Sequence, residues 1–175
     1  MFRGCSRDVK EAAYKSIVRP QLEYACSVWD PHQNYLIWEL EGVQRRAARF
    51  VMSDFRQRSS VSKMIAFLGW EELNYRRQRV RLCNMFRIMR GEEAWSDLQK
   101  RLVIDEGFKG RRDHNMKLSL DFRRRNWGLY SFLGRGAREW NGLPREVVSP
   151  FPVSLASFRN RMQGCVGMAG VAFVA

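Results

Sequence analysis

Apolar residues recur every three or four positions along three long segments of the chain. These segments cover about residues 6–29, 34–52 and 71–90. Such spacing places the apolar side chains on one face of an α-helix. The sequence contains no internal repeat and no convincing alternation of apolar and polar residues typical of β-strands. It therefore predicts an all-α fold, a small helical bundle.

The first helix is predicted to begin after Ser6 and to bend at Pro20. Proline lacks an amide proton and clashes with the preceding turn, so it either kinks a helix or begins a new one. The apolar register continues across Pro20, which favours a kink. Asp30-Pro31 should end the helix, because the residue before proline avoids the α region. The predicted buried stripe comprises Val9, Ala13, Ile17 (or Ser16), Pro20, Tyr24 and Val28.

The second helix is predicted over about Asn34 to Met52. Gly42 lies inside it and costs about 1 kcal/mol relative to alanine, so we expect close packing against a neighbour at this position. Three arginines should share adjoining parts of its exposed face. They are Arg45, Arg46 and Arg49, and the predicted buried stripe is Ile37, Leu40, Val43, Ala47 and Phe50.

Ser59-Ser60 can cap a short third helix that ends at Gly69. A long helix should follow, from Trp70-Glu71 to about Arg90. Its predicted buried side comprises Leu73, Val80, Cys83 and Phe86, and its predicted exposed residues are Arg76, Arg77, Arg79, Arg81 and Arg87. Cys83, like Cys26, sits among apolar helix positions and is predicted to be a small core residue.

The helical periodicity fails over residues 104–130, where basic and aromatic residues alternate. This stretch is predicted to be an irregular basic arm. Residues 131–163 should form a C-terminal helical extension. Residues 164–175 are an apolar tail of about half the ~20 residues that a membrane span requires. With no apolar signal region at the N-terminus, we expect an intracellular chain, nuclear or cytoplasmic, that is neither secreted nor bound to a membrane.

The chain is strongly basic. It has 31 Lys and Arg against 18 Asp and Glu, a formal charge of +13. Such an excess attracts polyanions, and arginine suits phosphate contacts better than lysine. Solubility needs only a few net charges. RNA or DNA is therefore the predicted partner.

Several blocks of sequence resemble one family. They are Val18-Arg19-Pro20-Gln21-Leu22-Glu23-Tyr24-Ala25, Trp29-Asp30-Pro31, residues 40–50, Leu68-Gly69-Trp70-Glu71-Glu72-Leu73 with Arg76-Arg77, Ser131-Phe132 and Trp140-Asn141-Gly142-Leu143-Pro144. In order and spacing they resemble the region that follows the polymerase core in non-LTR (LINE-type, jockey-like) retrotransposon reverse transcriptases. The resemblance extends to about Met162, and the tail departs from it.

The resemblance implies a thumb-like bundle over residues 6–103, followed by the arm and the C-terminal extension. A thumb holds the template–primer duplex through its backbone, which requires arginines that face phosphates. The arm could follow a single strand by charge and stacking. The predicted nucleic-acid-binding residues are Arg45, Arg46, Arg49, Arg76, Arg77, Arg81, Arg111, Arg112, Arg123, Arg124, Arg125 and Trp127. Trp29 and Trp70 are expected to be structural, and Trp140 could serve either role.

The sequence offers no catalytic centre for polymerisation. That reaction needs neighbouring carboxylates that hold two Mg²⁺ ions, and no two aspartates are adjacent. The cysteines and histidines lack zinc-site spacing. We therefore expect a non-catalytic chain without a cofactor, with Mg²⁺ bound only in the palm of the parent enzyme that the resemblance implies.

Two other interpretations remain open. The helices could form a protein-interaction module that docks on a polymerase core, such as the palm of the same polyprotein, or on another partner. The basic charge would then serve solubility alone. The chain could also be a decayed retroelement remnant with no function of its own.

Overall fold

A computed structural model of the chain describes residues 4–105, 107, 114–119 and 126–166, with the backbone alone at 93, 126, 127 and 164–166. Within this part the regular structure is helical, apart from an isolated antiparallel bridge between Ile104 and Leu118. The prediction of an all-α fold is thus confirmed. Of the predicted irregular arm, several residues lie outside the described part.

The described part of the chain contains the following α-helices, in chain order. They are α1 (Arg7–Ala13), α2 (Arg19–Glu23), α3 (Cys26–Trp29), α4 (Asn34–Met52), α5 (Val61–Phe67), α6 (Leu73–Arg90), α7 (Ser96–Gln99), α8 (Asn126–Tyr130), α9 (Phe132–Asn141), α10 (Arg145–Val148) and α11 (Leu155–Val166). A π-helical turn, Tyr14–Val18, joins α1 to α2, and a 3₁₀ turn, Glu93–Trp95, precedes α7.

The chain divides into two compact units, Met1–Val80 and Arg81–Ala175. The boundary lies inside α6, so the two halves of this helix belong to different units. The predicted bundle over residues 6–103 stays a prediction.

An aromatic pair lies in the core of the first unit. Tyr14 stacks on Trp70 with 4.4 Å between ring centroids, and Ala48, Val51 and Met64 pack in the same cluster. The buried Tyr14 hydroxyl donates to Gln44 Oε1 over 2.9 Å. Burial raises the pKa of Tyr14 to about 12, so this hydroxyl keeps its proton at neutral pH. Trp70 is structural, as predicted.

The first helical segment buries a different face from the predicted one. Tyr14 is buried, whereas Val9, Ile17, Tyr24 and Val28 of the predicted stripe are exposed. The π-helical turn ends at Val18, and Pro20 lies in the first turn of α2; the Arg19 N–H bonds to the Tyr14 carbonyl, five residues earlier. This wider turn carries the backbone into the segment containing Pro20.

The break in this helical region comes after Pro20, at Ala25. Ala25 has a left-handed backbone with φ of 50° and separates α2 from α3. The predicted unbroken register into Val28 is therefore wrong, and Val28 is exposed. Cys26, one residue beyond the break, is buried as predicted.

Helix α4 spans the predicted residues, but a different face of it is buried. Gln44, Ala48 and Val51 are buried. The predicted stripe of Ile37, Leu40, Val43, Ala47 and Phe50 is only half-buried. The face of α4 that is buried is therefore rotated about the helix axis from the predicted face. Helix α5 begins as expected, with Ser60 Oγ accepting the Lys63 N–H.

The second unit is built around stacked aromatic rings. Phe86 of α6 lies 4.8 Å from Phe158 and 5.2 Å from Phe151, between ring centroids. Trp140 lies 5.7 Å from Phe158 and is fully buried.

On the predicted buried side of α6, Leu73, Cys83 and Phe86 are confirmed, whereas Val80 is exposed.

Residues 114–118 are held against the end of α9 by side-chain hydrogen bonds. Asn141 accepts the Leu118 N–H and donates to the Leu118 carbonyl, both over 2.8 Å. Trp140 donates its indole N–H to the Met116 carbonyl over 2.8 Å. The Met116 N–H donates to His114 Nδ1, which leaves Nε2 to donate to the Trp140 carbonyl. This network gives Trp140 a structural role.

Replacing Asn141 with alanine should destabilise the protein by about 1–3 kcal/mol, because it leaves a backbone donor and a backbone acceptor of Leu118 without partners. Urea denaturation measures the change. Asn160→Ala on the exposed side of α11 is the matched control, with an expected effect under about 0.5 kcal/mol. Equal effects of the two substitutions would show that Asn141 does not anchor residues 114–118.

Candidate nucleic-acid interface

Two arginines of the predicted interface are buried. In the first unit Arg77 donates from Nε to Asp30 Oδ1 over 2.7 Å. In the second unit Arg81 donates from Nε and Nη2 to the two carboxylate oxygens of Glu139, over 2.8 and 2.5 Å. The expectation that both project from an exposed face is therefore wrong. Their partners come from segments distant in sequence, which helical spacing along α6 cannot show.

The Arg77–Asp30 pair is the more deeply buried of the two. The Arg77 side chain is fully buried, and Asp30 is 5% exposed. Both Nη atoms of Arg77 lack a hydrogen-bond acceptor among the described residues. A buried guanidinium that lost its carboxylate would be strongly destabilising. Arg77 is therefore a structural residue in this fold.

Arg76 is also engaged with carboxylates. It forms a salt bridge with Glu23 at the end of α2, and Glu71 lies 3.9 Å away. The bond to Glu23 raises the pKa of Arg76. Its side chain is 24% exposed. The geometry ties α6 to α2 and leaves little of the guanidinium for phosphate.

Arg49 binds its own chain. Its guanidinium donates to the carbonyls of Arg56 and Ser59, over 2.8 and 3.3 Å. It thereby holds the loop that follows α4. Asp54 supports the same loop, because hydrogen bonds from Arg56 and Ser59 keep the pKa of its carboxyl well below the usual range. Arg49 thus has a structural role that its helical position did not reveal.

Arg45 and Arg46 differ from the other predicted residues. Both are exposed on α4. Within the described residues, neither forms a hydrogen bond or salt bridge with another side chain. Among the predicted arginines that the structure describes, these two alone combine exposure with the absence of a carboxylate partner.

The remaining predicted residues cannot be placed in this interface. Arg111, Arg112, Arg123, Arg124 and Arg125 lie outside the described residues. Trp127 belongs to α8, but its side chain is not described. Their roles stay predictions.

Trp38 is an exposed aromatic residue of α4 that was not among the predicted site residues. Trp38 is 75% exposed, and Tyr35 on the same helix is 64% exposed. Trp38 lies seven residues before Arg45, which places both on one side of α4. Trp38 lies outside the predicted buried stripe of α4. A tryptophan outside that stripe could have indicated an exposed aromatic side chain. Trp29, expected to close a core edge, is 39% exposed.

An open groove runs along the outer face of α4, with a volume of about 740 Å³. We call it the α4 groove; it is lined by Trp29, Pro31, Leu36, Trp38, Glu39, Leu40, Gly42, Val43 and Arg46. A Cβ added at Gly42 would meet only Arg46 Nη1, at 3.6 Å, among the described residues. The expected close packing at Gly42 within the chain is therefore wrong.

A second groove, of about 440 Å³, lies on another side of α4, where Trp38, Arg45 and Glu41 line it. Glu41 accepts the Asn74 N–H over 2.7 Å and so caps the first turn of α6. Burial raises the pKa of Glu41, and the backbone hydrogen bonds partly oppose that shift. Glu41 therefore serves helix α6, and Arg45 is the cation of this groove.

No protein-family model matches the chain, and neither a curated protein nor a solved structure matches it. Among the described residues, no group of three His, Cys, Asp or Glu side chains is placed to hold a metal ion. In the same part of the chain, no helix has both the length and the apolar character needed to cross a membrane.

Replacing Asp30 with alanine should destabilise the protein by about 3–5 kcal/mol, because Arg77 would keep a buried charge without its partner. Chemical denaturation measures this. Asp97→Ala is the control, since the Asp97–Lys100 pair is exposed and such pairs contribute about 0–1 kcal/mol. A loss for Asp30→Ala below about 1 kcal/mol would contradict the structural role of Arg77.

Replacing Gly42 with alanine should stabilise the isolated chain by about 1 kcal/mol, because alanine favours helix and the added Cβ has room. Denaturation at submicromolar protein measures the change. Gly134→Ala is the contrast, because a Cβ there would lie 2.1 Å from the Gly128 carbonyl oxygen and should destabilise. A loss of stability for Gly42→Ala would mean that this position is already crowded within the chain.

Proposed function

We propose that this chain is a non-catalytic C-terminal part of a LINE-type reverse transcriptase that binds the RNA or DNA backbone without sequence preference. The observation that carries the proposal is the exposed pair Arg45–Arg46 on α4, which lacks carboxylate partners among the described residues. The order of the sequence blocks and the net charge of +13 support it.

Charge and exposure together favour phosphate as the ligand. Arginine binds phosphate oxygens through a planar fork of N–H donors. An arginine already paired with a carboxylate would have to give up that pair first. Arg77 and Arg81 are buried in such pairs. Among the described residues, the arginines of the proposed interface are therefore Arg45 and Arg46.

Trp38 provides a surface on which a base could stack. Its ring is largely exposed on the side of α4 that carries Arg45. Stacking on an aromatic ring tolerates any base, because every base has a π-face. Glu41 and Glu72 line the same groove and would repel phosphates placed deep within it. The proposed path of a strand is therefore along the rim, past Arg45 and Trp38.

A protein-interaction module is the second candidate function. It is favoured by apolar side chains of α1 to α3 and the π-helical turn that remain exposed in the first unit. Ile17 is 55% exposed, Tyr24 79% and Val28 88%. Such a surface could dock on a polymerase core such as the palm, where the parent enzyme's Mg²⁺ would bind. Absence of binding to a nucleic-acid duplex at moderate salt would favour this candidate.

The double variant Arg45→Gln/Arg46→Gln should lower the salt dependence of nucleic-acid binding. If each arginine meets one phosphate, the slope of log K against log salt should fall in magnitude by about two. Filter binding to a single-stranded RNA and to a DNA duplex measures the slope. The protein is kept at nanomolar concentration.

The matched control is Arg90→Gln/Arg101→Gln, which removes two exposed arginines of the second unit. It should change the slope by less than about one. Equal slopes for the two double variants would place the contact elsewhere than α4. Wild-type protein that fails to bind either probe at low salt would overturn the proposed function itself.

A further inference from the structure

The outward face of α4 carries a regular stripe on the side opposite the core. Glu39, Gly42, Val43 and Arg46 follow the spacing of three, four and seven residues that aligns side chains along one helix face. All four line the α4 groove. Gln44, Ala48 and Val51 face the core from the other side. The helix thus has an apolar, partly charged face that the described residues leave open.

The charges of this stripe are opposite at its two ends. Glu39 and Arg46 lie seven residues apart, or about 10.5 Å along a helix axis. The midpoint between them falls between Gly42 and Val43. Neither side chain forms a salt bridge or a hydrogen bond with another side chain among the described residues. Reversing the helix end to end brings Glu39 to the position of Arg46 and Arg46 to the position of Glu39. An antiparallel second α4 would therefore present an opposite charge to each of the two residues.

We propose that a second copy of this chain occupies the α4 groove, with the two α4 helices antiparallel and a two-fold axis beside Gly42 and Val43. In this arrangement Glu39 of each copy faces Arg46 of the other. A two-fold interface uses the same patch on both subunits, so the patch must be complementary to itself. A stripe with opposite charges at equal distances from its centre meets that requirement.

Gly42 supplies the independent geometric support. It lies within a helix of 19 residues, where glycine is less favourable than alanine. Within the described residues, nothing but the end of the Arg46 side chain approaches it. A helix that crosses there would come close to the backbone, and Gly42 would lie at the crossing point. Leu40 and Trp29, beside the crossing, would bury apolar surface that is now open.

A second copy is favoured over an unrelated helix because α4 itself carries both charges that the pairing needs, Glu39 and Arg46. This inference does not rest on the proposed binding of nucleic acid. The two do compete for Arg46, because a dimer pairs Arg46 with Glu39. Dimerisation at micromolar protein would therefore reduce the contribution of Arg46 to nucleic-acid binding and spare that of Arg45.

Charge reversal tests the interface on the full chain without nucleic acid. Sedimentation equilibrium over a range of protein concentrations should show a monomer–dimer equilibrium for the wild type. Glu39→Arg places arginine against Arg46 of the other copy, and Arg46→Glu places two carboxylates together. Each single variant should dimerise at least roughly tenfold more weakly, since two pairs change from attraction to repulsion.

Two further samples separate the interface from general damage to the fold. The double variant Glu39→Arg/Arg46→Glu restores opposite charges and should recover dimerisation. An equimolar mixture of the two single variants should form heterodimers, because each reversed residue then faces its complement. Gly42→Ala should weaken dimerisation, although it should stabilise the isolated chain.

A monomeric wild type at all concentrations would overturn the proposal. So would single variants that dimerise like the wild type, or a mixture of single variants that stays monomeric while the wild type dimerises. Recovery in both the double variant and the mixture would establish the antiparallel pairing of Glu39 with Arg46.

Discussion

The buried ion pair between Arg77 and Asp30 determines how the first unit is organised. A guanidinium without exposure needs a fixed carboxylate, so Asp30, just after α3, must stay beside α6. Arg76 and Glu23 add a second tie between α6 and α2. With these segments anchored by α6, the Tyr14–Trp70 stack has a defined place in the core. The charged contacts thus fix positions, and the aromatic contacts fill the space between them.

Among the described residues, the arginines predicted to bind nucleic acid differ in what they contact. Arg77 and Arg81 are buried against carboxylates, and Arg49 holds backbone carbonyls. Arg45 and Arg46 are exposed and meet no carboxylate among the described residues. The total of 31 Lys and Arg residues therefore overstates the cations available to a polyanion. The proposed binding function and the proposed dimer both depend on the small exposed group on α4.

Periodicity predicted which segments are helical better than it predicted which face of each helix is buried. The bounds of α4 follow from its apolar spacing and its flanking polar residues. Its buried face could not be read correctly, because Gln44 is polar yet bonds to Tyr14 and to the Glu71 carbonyl. In the first helix the exposed Val9 and Ile17 suggested the wrong phase, while Tyr14 and the stem of Lys10 are buried. A polar residue can be buried wherever a distant segment supplies its hydrogen-bond partner.

By itself the sequence determined the helical class, the extent of α4 and α6 and the excess of positive charge, because these depend on local spacing and composition. Tertiary structure alone decided which arginines remain available, since their carboxylate partners come from distant segments such as those of Asp30 and Glu139. It also decided that Gly42 faces an open groove rather than a packed neighbour. Local patterns specify a helix, but only the packed chain determines what each face of that helix meets.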